Sequence, residues 1–282
     1  MELEERKIKE INHSDRRRMI VRAYEYNTDA SSGRMNMRFV SGDNEFDQHF
    51  SNMKFYSIAR SSFAYRNALL SEKLKGGVAL DYCCGNGEIA VEMAMEGASR
   101  VIGIDISTIA IENARELVKT AGMGPVCEFA VMDAEHTDFA DRTFDLIHEY
   151  GALHHLDLGA AYRELSRILK RDGKLVCTEA LRHNPFIHLY RKRTPHLRTR
   201  WEFEHILGVR EIMYGLRYFE QVNIRFFHLA VLSAVPFRKT RFFGPLLSLL
   251  ERVDKAILNI PYLQRMAWVA VFVLKRPRKT TT

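Results

Sequence analysis

From residue 78 onward, short apolar runs alternate with longer stretches whose apolar residues recur every three or four positions. The runs cover 78–82, 101–106, 126–131, 144–149 and 174–178. They are apolar throughout rather than alternating, which is the pattern of strands buried on both faces. The stretches between them, 88–96, 108–121 and 159–169, carry helical periodicity. Regular strand–helix alternation builds parallel βαβ units with helices on both faces of one sheet. The expected fold class is therefore α/β, a doubly wound and mostly parallel sheet. Upstream, Phe46, Phe50, Phe55, Ile58, Phe63, Ala64, Ala68 and Leu69 predict a helical cover over 45–75, which Gly76-Gly77 ends. After Ala180 the pattern loosens. Residues 221–232 and 267–275 predict two further strands, with an amphipathic helix around 241–260.

This pattern divides the chain into an N-terminal arm, 1–44, expected to be a flexible arm or a lid, and one domain, 45–282. Within the domain the core is 76–180, a substrate-cover and insert region follows over 181–266, and 267–275 is the last strand.

Composition narrows the class without naming a partner. The 282 residues are 46% hydrophobic and 27% charged, as in ordinary globular proteins. The formal charge is +7 and the sequence pI is near 9.2, which permits an acidic partner. Cys83, Cys84, Cys127 and Cys177 lie in or beside apolar runs and form no CxxC pair. Neither a zinc site nor a disulfide framework is expected, and no metal site is assigned. The charged start, Met1-Glu2-Leu3-Glu4-Glu5-Arg6-Lys7, lacks the apolar core of a signal peptide. A cytoplasmic location is expected, with contact at a membrane surface as an alternative.

The strongest chemical signal is Val78-Ala79-Leu80-Asp81-Tyr82-Cys83-Cys84-Gly85-Asn86-Gly87. A buried strand runs into a glycine turn and a helix follows at once. The glycines allow a sharp turn and close approach of a ligand, and the helix start presents unpaired N–H groups. Asp105 ends the second run, where a carboxylate accepts hydrogen bonds from ribose hydroxyls. Together these indicate an adenosine cofactor but do not separate NAD from S-adenosylmethionine, because Gly85-x-Gly87-x-x-Ala90 also satisfies the dinucleotide fingerprint. Asp81 favours S-adenosylmethionine, since a carboxylate before the glycines would repel a diphosphate and welcome an ammonium or sulfonium. Asp133, after the third strand, could accept a hydrogen bond from the adenine amino group.

In order along the chain stand Asp81-x-Cys83-Cys84-Gly85-x-Gly87, Gly103-x-Asp105-Ile106-Ser107, Asp133-Ala134-Glu135, Phe144-Asp145 through Leu153-His154-His155, and Leu165-x-Arg167-Ile168-Leu169-Lys170-x-Asp172-Gly173. In this the chain resembles the class I S-adenosylmethionine-dependent methyltransferases that act on small molecules. One position departs: Cys83 stands where that family more often has glycine. The resemblance implies a seven-stranded sheet with an antiparallel last strand. It places the cofactor, with S-adenosylhomocysteine as product, on Asp81, Cys83, Gly85, Asn86, Gly87, Asp105, Ile106, Asp133, Ala134, Glu149 and Tyr150. Tyr56 or Arg60, in the helical cover, would hold the methionine carboxylate, Arg by its bidentate fork.

Methyl transfer from a sulfonium is chiefly a matter of positioning. A base is needed only if the acceptor carries a proton, and His154 and His155, on the loop after the fourth strand, are the candidates. Packing is their other explanation. Arg182, Arg191, Lys192, Arg193, Arg198 and Arg200 stand among Phe186, Tyr190 and Trp201. They suit an anionic acceptor or a solvated face paired with Glu202 and Glu204. The aromatic region 226–263 with its nearby basic residues suits a packed helix pair or a membrane-surface element serving a lipid-like acceptor. The acceptor is expected to be a small molecule, a glycan or a lipid intermediate. The other readings are an NAD(P)-dependent oxidoreductase or a non-catalytic S-adenosylmethionine-binding protein. No recognisable nucleic-acid module is present.

Overall fold

The computed structural model describes residues 4–20, 24–29, 34–39 and 51–278. In chain order the elements are α1 (Glu5–Ile20), β1 (Tyr24–Asp29), β2 (Arg34–Phe39), α2 (Arg60–Leu74), β3 (Val78–Tyr82), α3 (Glu88–Met95), β4 (Arg100–Asp105), α4 (Thr108–Thr120), β5 (Cys127–Val131) and β6 (Phe144–Tyr150). They continue with α5 (Leu158–Ile168), β7 (Leu169–Ala180), α6 (Pro185–Arg193), α7 (Arg200–His205), α8 (Val209–Met213), β8 (Phe219–Phe227), α9 (Phe243–Ile257), α10 (Pro261–Gln264) and β9 (Val269–Pro277).

Seven strands form one sheet in the order β5-β4-β3-β6-β7-β9-β8, and β1 pairs with β2 in a separate antiparallel hairpin. The five strands β3 to β7 run parallel, while β9 lies antiparallel between β7 and β8. Strand order reverses at β3, with β4 on one side and β6 on the other. The crevice above that switch point is where open α/β sheets bind ligands.

The apolar runs form central strands because they have two faces to bury. Ala79, Leu146 and Val176 point into one layer, with Leu70, Leu74, Val91 and Ile111 of the helices on that side. Leu80, Ile147 and Leu175 point into the other, with Tyr162, Leu165 and Ile168 of α5. Side chains one residue apart in a strand serve opposite layers. Gly103 is needed for contact: a Cβ there would stand 2.5 Å from the Phe129 ring and 3.0 Å from Cys84 Sγ.

Several expected elements change on folding. The helical cover begins as a 3₁₀ segment, Ser51–Ile58, before α2 starts at Arg60; Phe46 and Phe50 lie outside the described residues. β8 ends at Phe227 rather than 232, because Ala230–Phe237 turns into a 3₁₀ segment. The cause is Asp254 of α9, a buried carboxylate that accepts the N–H groups of Leu229, Ala230 and Val231. Within the expected N-terminal arm, residues 5–20 form a helix that packs on α4.

Candidate active site

The loop after β3 carries positive φ angles at Cys83 (58°), Gly85 (55°) and Gly87 (82°). This backbone wraps the strand end so that Gly87 becomes the N-cap of α3. Gly85 donates its N–H to Asp105 Oδ2 at 3.0 Å, and Ser107 donates its own to Asp105 Oδ1 at 2.9 Å. Each Asp105 oxygen thus holds one backbone N–H and keeps a second lone pair. Asp105 is aimed at the glycine turn, as an acceptor for ribose hydroxyls must be. Ile106 is half-buried just beyond it, and Asn86 is buried in the turn.

Two strand-end carboxyl groups each keep one buried oxygen without a partner. Asp81 Oδ1 is 2.9 Å from His148 Nδ1, while its Oδ2 is buried without a partner. Glu149 Oε1 accepts the N–H groups of Ala152 and Leu153, and its Oε2 is likewise buried without a partner. A buried unpaired acceptor costs free energy unless something donates to it. The ammonium group of an amino-acid moiety would supply a donor to Asp81, while Glu149, one register position on, faces the opposite layer. A dinucleotide diphosphate would meet the Asp81 carboxyl group instead, so the residues present fit S-adenosylmethionine and oppose NAD.

Past β6 the chain turns through Gly151 into a short 3₁₀ turn, Leu153–His155. Glu179, at the end of β7, accepts the Leu153 N–H at 2.8 Å and faces His154 Nδ1 at 2.8 Å. Burial raises the Glu179 carboxyl to about 7. Glu149 is raised well above its usual range, first by burial and then by the charge of Glu179. Burial lowers His154 to about 3, so the ring is neutral at rest. His155 pairs with Glu10 of α1 at 2.8 Å. Burial pulls its pKa down, but Glu10 and the carboxylates of Glu202 and Glu179 together push it above the ordinary value. Of the two rings, His154 is thus the neutral one. His154, His155 and Glu202 bring donor atoms within 4.8 Å of one another, as a metal site would. The Arg198 guanidinium stands 3.4 Å from Glu202 and already neutralises the carboxylate such an ion would need.

Helix α1 covers the side expected to take adenosine. Lys7 Nζ lies 2.7 Å from Asp133 Oδ2 and 2.9 Å from Glu135, and Arg6 bonds Glu135 at 2.7 and 2.9 Å. Ser107 donates to Asp15, and a Cβ on Gly85 would meet Arg18 Nη2 at 2.6 Å. The expected adenine acceptor, Asp133, is thus held by a lysine of the segment expected to be an arm. Ala134 contributes its carbonyl to the Tyr82 hydroxyl at 2.6 Å, fixing that loop on the sheet.

On the opposite side Tyr56 is hydrogen-bonded to Tyr150, and burial raises both phenols. Arg60 does not join them. It is exposed and bound to Glu251 and Ser248 of α9, so its expected role at the methionine carboxylate is replaced by a structural ion pair. Arg200, expected with Arg198 to recognise an anion, is exposed and paired with Glu204. Of that cluster, Arg191 is buried and donates to the Leu181 carbonyl at 2.9 Å, and Arg198 is part-buried against Glu202. Burial, then the charge of Arg198, lowers Arg191 to about 10.

Residues 79–173 match the family described as methyltransferase domain. Over those residues the chain is similar to methyltransferase domains. The domain is similar to the demethylmenaquinone methyltransferase of Staphylococcus aureus (strain MRSA252), 38% identical over 108 residues, which cover 37% of this chain and 44% of the relative. The chain thus spans less than half the length of the curated relatives it matches. Solved structures extend the likeness in fold. Geranyl diphosphate C-methyltransferase from Streptomyces coelicolor A3(2), in complex with Mg2+, geranyl diphosphate and S-adenosyl-L-homocysteine, aligns with a TM-score of 0.60 at 15% identity, over 98% of this chain and all of that one. Phosphoethanolamine N-methyltransferase 2 of Haemonchus contortus aligns with a TM-score of 0.55 at 16% identity, over 86% of this chain and 62% of that one. At such identity these show a shared Rossmann-like methyltransferase fold.

Glu179 and the basic residues of α1 are the site residues that sequence reading passes over. Glu179 had one signal, a carboxylate closing the apolar run that leads into residue 178. The α1 residues had none, because their partners lie more than a hundred positions away.

Proposed function

We propose that the protein transfers the methyl group of S-adenosylmethionine to a small anionic acceptor. The observation that carries the cofactor is the buried, unpartnered carboxyl oxygen of Asp81, Oδ2, at the strand end beside the glycine turn. When bound, S-adenosylmethionine supplies a sulfonium-borne methyl group open to in-line attack. Asp105 would hold its ribose and Asp133, once freed from Lys7, its adenine.

The protein's own work is positioning and proton transfer. Glu179 accepts the Nδ1 proton of His154, which leaves Nε2 with its lone pair toward the acceptor side, 3.8 Å from Glu202. A proton released by the acceptor as it bonds to the methyl carbon goes to that Nε2, and Glu179 stabilises the imidazolium that forms. Arg191 and Arg198, desolvated and close to one another, supply the positive potential that suits a carboxylate or phosphate on the acceptor.

Calorimetric titration with S-adenosylmethionine, S-adenosylhomocysteine and NAD, side by side, tests this. We expect binding of the first two, with affinity falling roughly a hundredfold in Asp105→Ala, about the loss of two charge-assisted hydrogen bonds. Binding of NAD alone would overturn the proposal.

A further inference from the structure

Helix α9 carries one wide apolar arc, and the protein covers only part of it. Leu247 is buried, and Phe243, Leu246 and Leu250 pack against the core beside it. Along the uncovered edge of that arc Phe242, at the N-cap, is 61% exposed, Leu249 is 57% exposed and Val253 is 38% exposed. Separations of seven and four residues place these three on a single stripe of the helix. Ile260 and Tyr262, just beyond the helix, continue the exposed apolar surface.

The charge around this stripe has one sign. Lys239, Arg241, Arg252 and Lys255 are all exposed. The two acids of the helix are removed from solvent or neutralised: Asp254 is buried as the cap described above, and Glu251 is bound to Arg60. An exposed apolar stripe with an all-cationic border is the surface of a helix that lies in the plane of a bilayer. Its side chains enter the acyl boundary, and its Lys and Arg meet anionic headgroups. The 15-residue helix is long enough for this, at roughly 22 Å, and too short to cross. Among the described residues no helix is long and apolar enough to span a membrane.

We infer that α9 docks the protein on the surface of an anionic lipid bilayer. The cationic border selects this occupant over a second copy of the chain, whose identical border would repel it. The inference does not depend on methyl transfer, because vesicle binding is read without cofactor.

The test is co-sedimentation with vesicles of phosphatidylcholine alone and of phosphatidylcholine with phosphatidylglycerol, at low and at high salt. Wild-type protein is expected to partition onto the anionic vesicles at low salt and to be released by salt. Arg252→Gln with Lys255→Gln should weaken partition by roughly twentyfold, about fivefold per charge. Leu249→Asp with Val253→Asp should abolish it while S-adenosylhomocysteine binding, read by calorimetry, stays as in wild type. Leu249→Trp provides a readout that needs no loss of function: the fluorescence of the introduced indole should be quenched by brominated lipid. Three results would each overturn the inference. They are no partition onto anionic vesicles at low salt, no quenching in the Leu249→Trp variant, or a solution dimer that Leu249→Asp with Val253→Asp dissociates.

Discussion

Cys83 holds a left-handed backbone, φ 58°, in the glycine turn after β3. An L-residue there pays about 1–2 kcal/mol in contact between Cβ and its own carbonyl, which glycine avoids. Glycine loses more chain entropy on folding, by about 0.5–1 kcal/mol. The balance favours glycine, which is what the resembling family carries at this position. Cys83→Gly should therefore stabilise the fold by about 0.5–1 kcal/mol and raise the melting temperature by about 2 °C, measured by differential scanning calorimetry. An unchanged or lower midpoint would mean that the thiol's packing outweighs the strain. Nucleophilic use of the thiol is disfavoured, because burial raises its pKa well above the ordinary value.

At the scale of elements, α1 and α5 show two ways of fixing a helix. The first turn of α5 is capped by Asp157, which accepts the Ala160 N–H at 2.8 Å, and its inner face is apolar and buried. Its periodicity is plain in the sequence. Helix α1 is held chiefly by charge: Arg6 and Lys7 on Asp133 and Glu135, Asp15 on Ser107, Glu10 on His155. Partly buried ion pairs of this kind contribute more than exposed ones. Arg6→Met with Lys7→Met should accordingly release the helix, and amide hydrogen exchange over residues 5–20 should accelerate at least about tenfold, the equivalent of ~1.4 kcal/mol. Exchange that stayed at the wild-type rate would assign the docking of α1 to its remaining contacts.

The whole molecule senses pH through the carboxyl pair between β6 and β7. Glu179 titrates at about 7 against an ordinary 4.5, and Glu149 is raised as well. Between those pH values the folded state holds more protons than the unfolded chain, so its stability falls as pH rises. The contribution is fully present below about pH 4.5 and is lost through pH 7. Glu149→Gln removes the like-charge repulsion. The variant should melt about 3 °C above wild type at pH 8, on the order of 1 kcal/mol, and level with it at pH 5. A pH-independent difference would place the effect in packing.

The order of residues alone specifies the sheet and the cofactor turn. Strands buried on two faces read as unbroken apolar runs, and a glycine turn between strand and helix is a local conformation written in consecutive residues. Asp81, Asp105 and Asp133 were legible for the same reason, since each lies at or just past the end of a run. Which distant groups meet was settled by folding. It brought Glu179 to His154 across neighbouring strands, set Lys7 on Asp133, and took Arg60 away to Glu251. Such pairings depend on strand order and helix placement, which follow from burying both faces of the whole sheet. A linear pattern records which side chains seek burial, but the partner of a charged group is fixed only when the layers close.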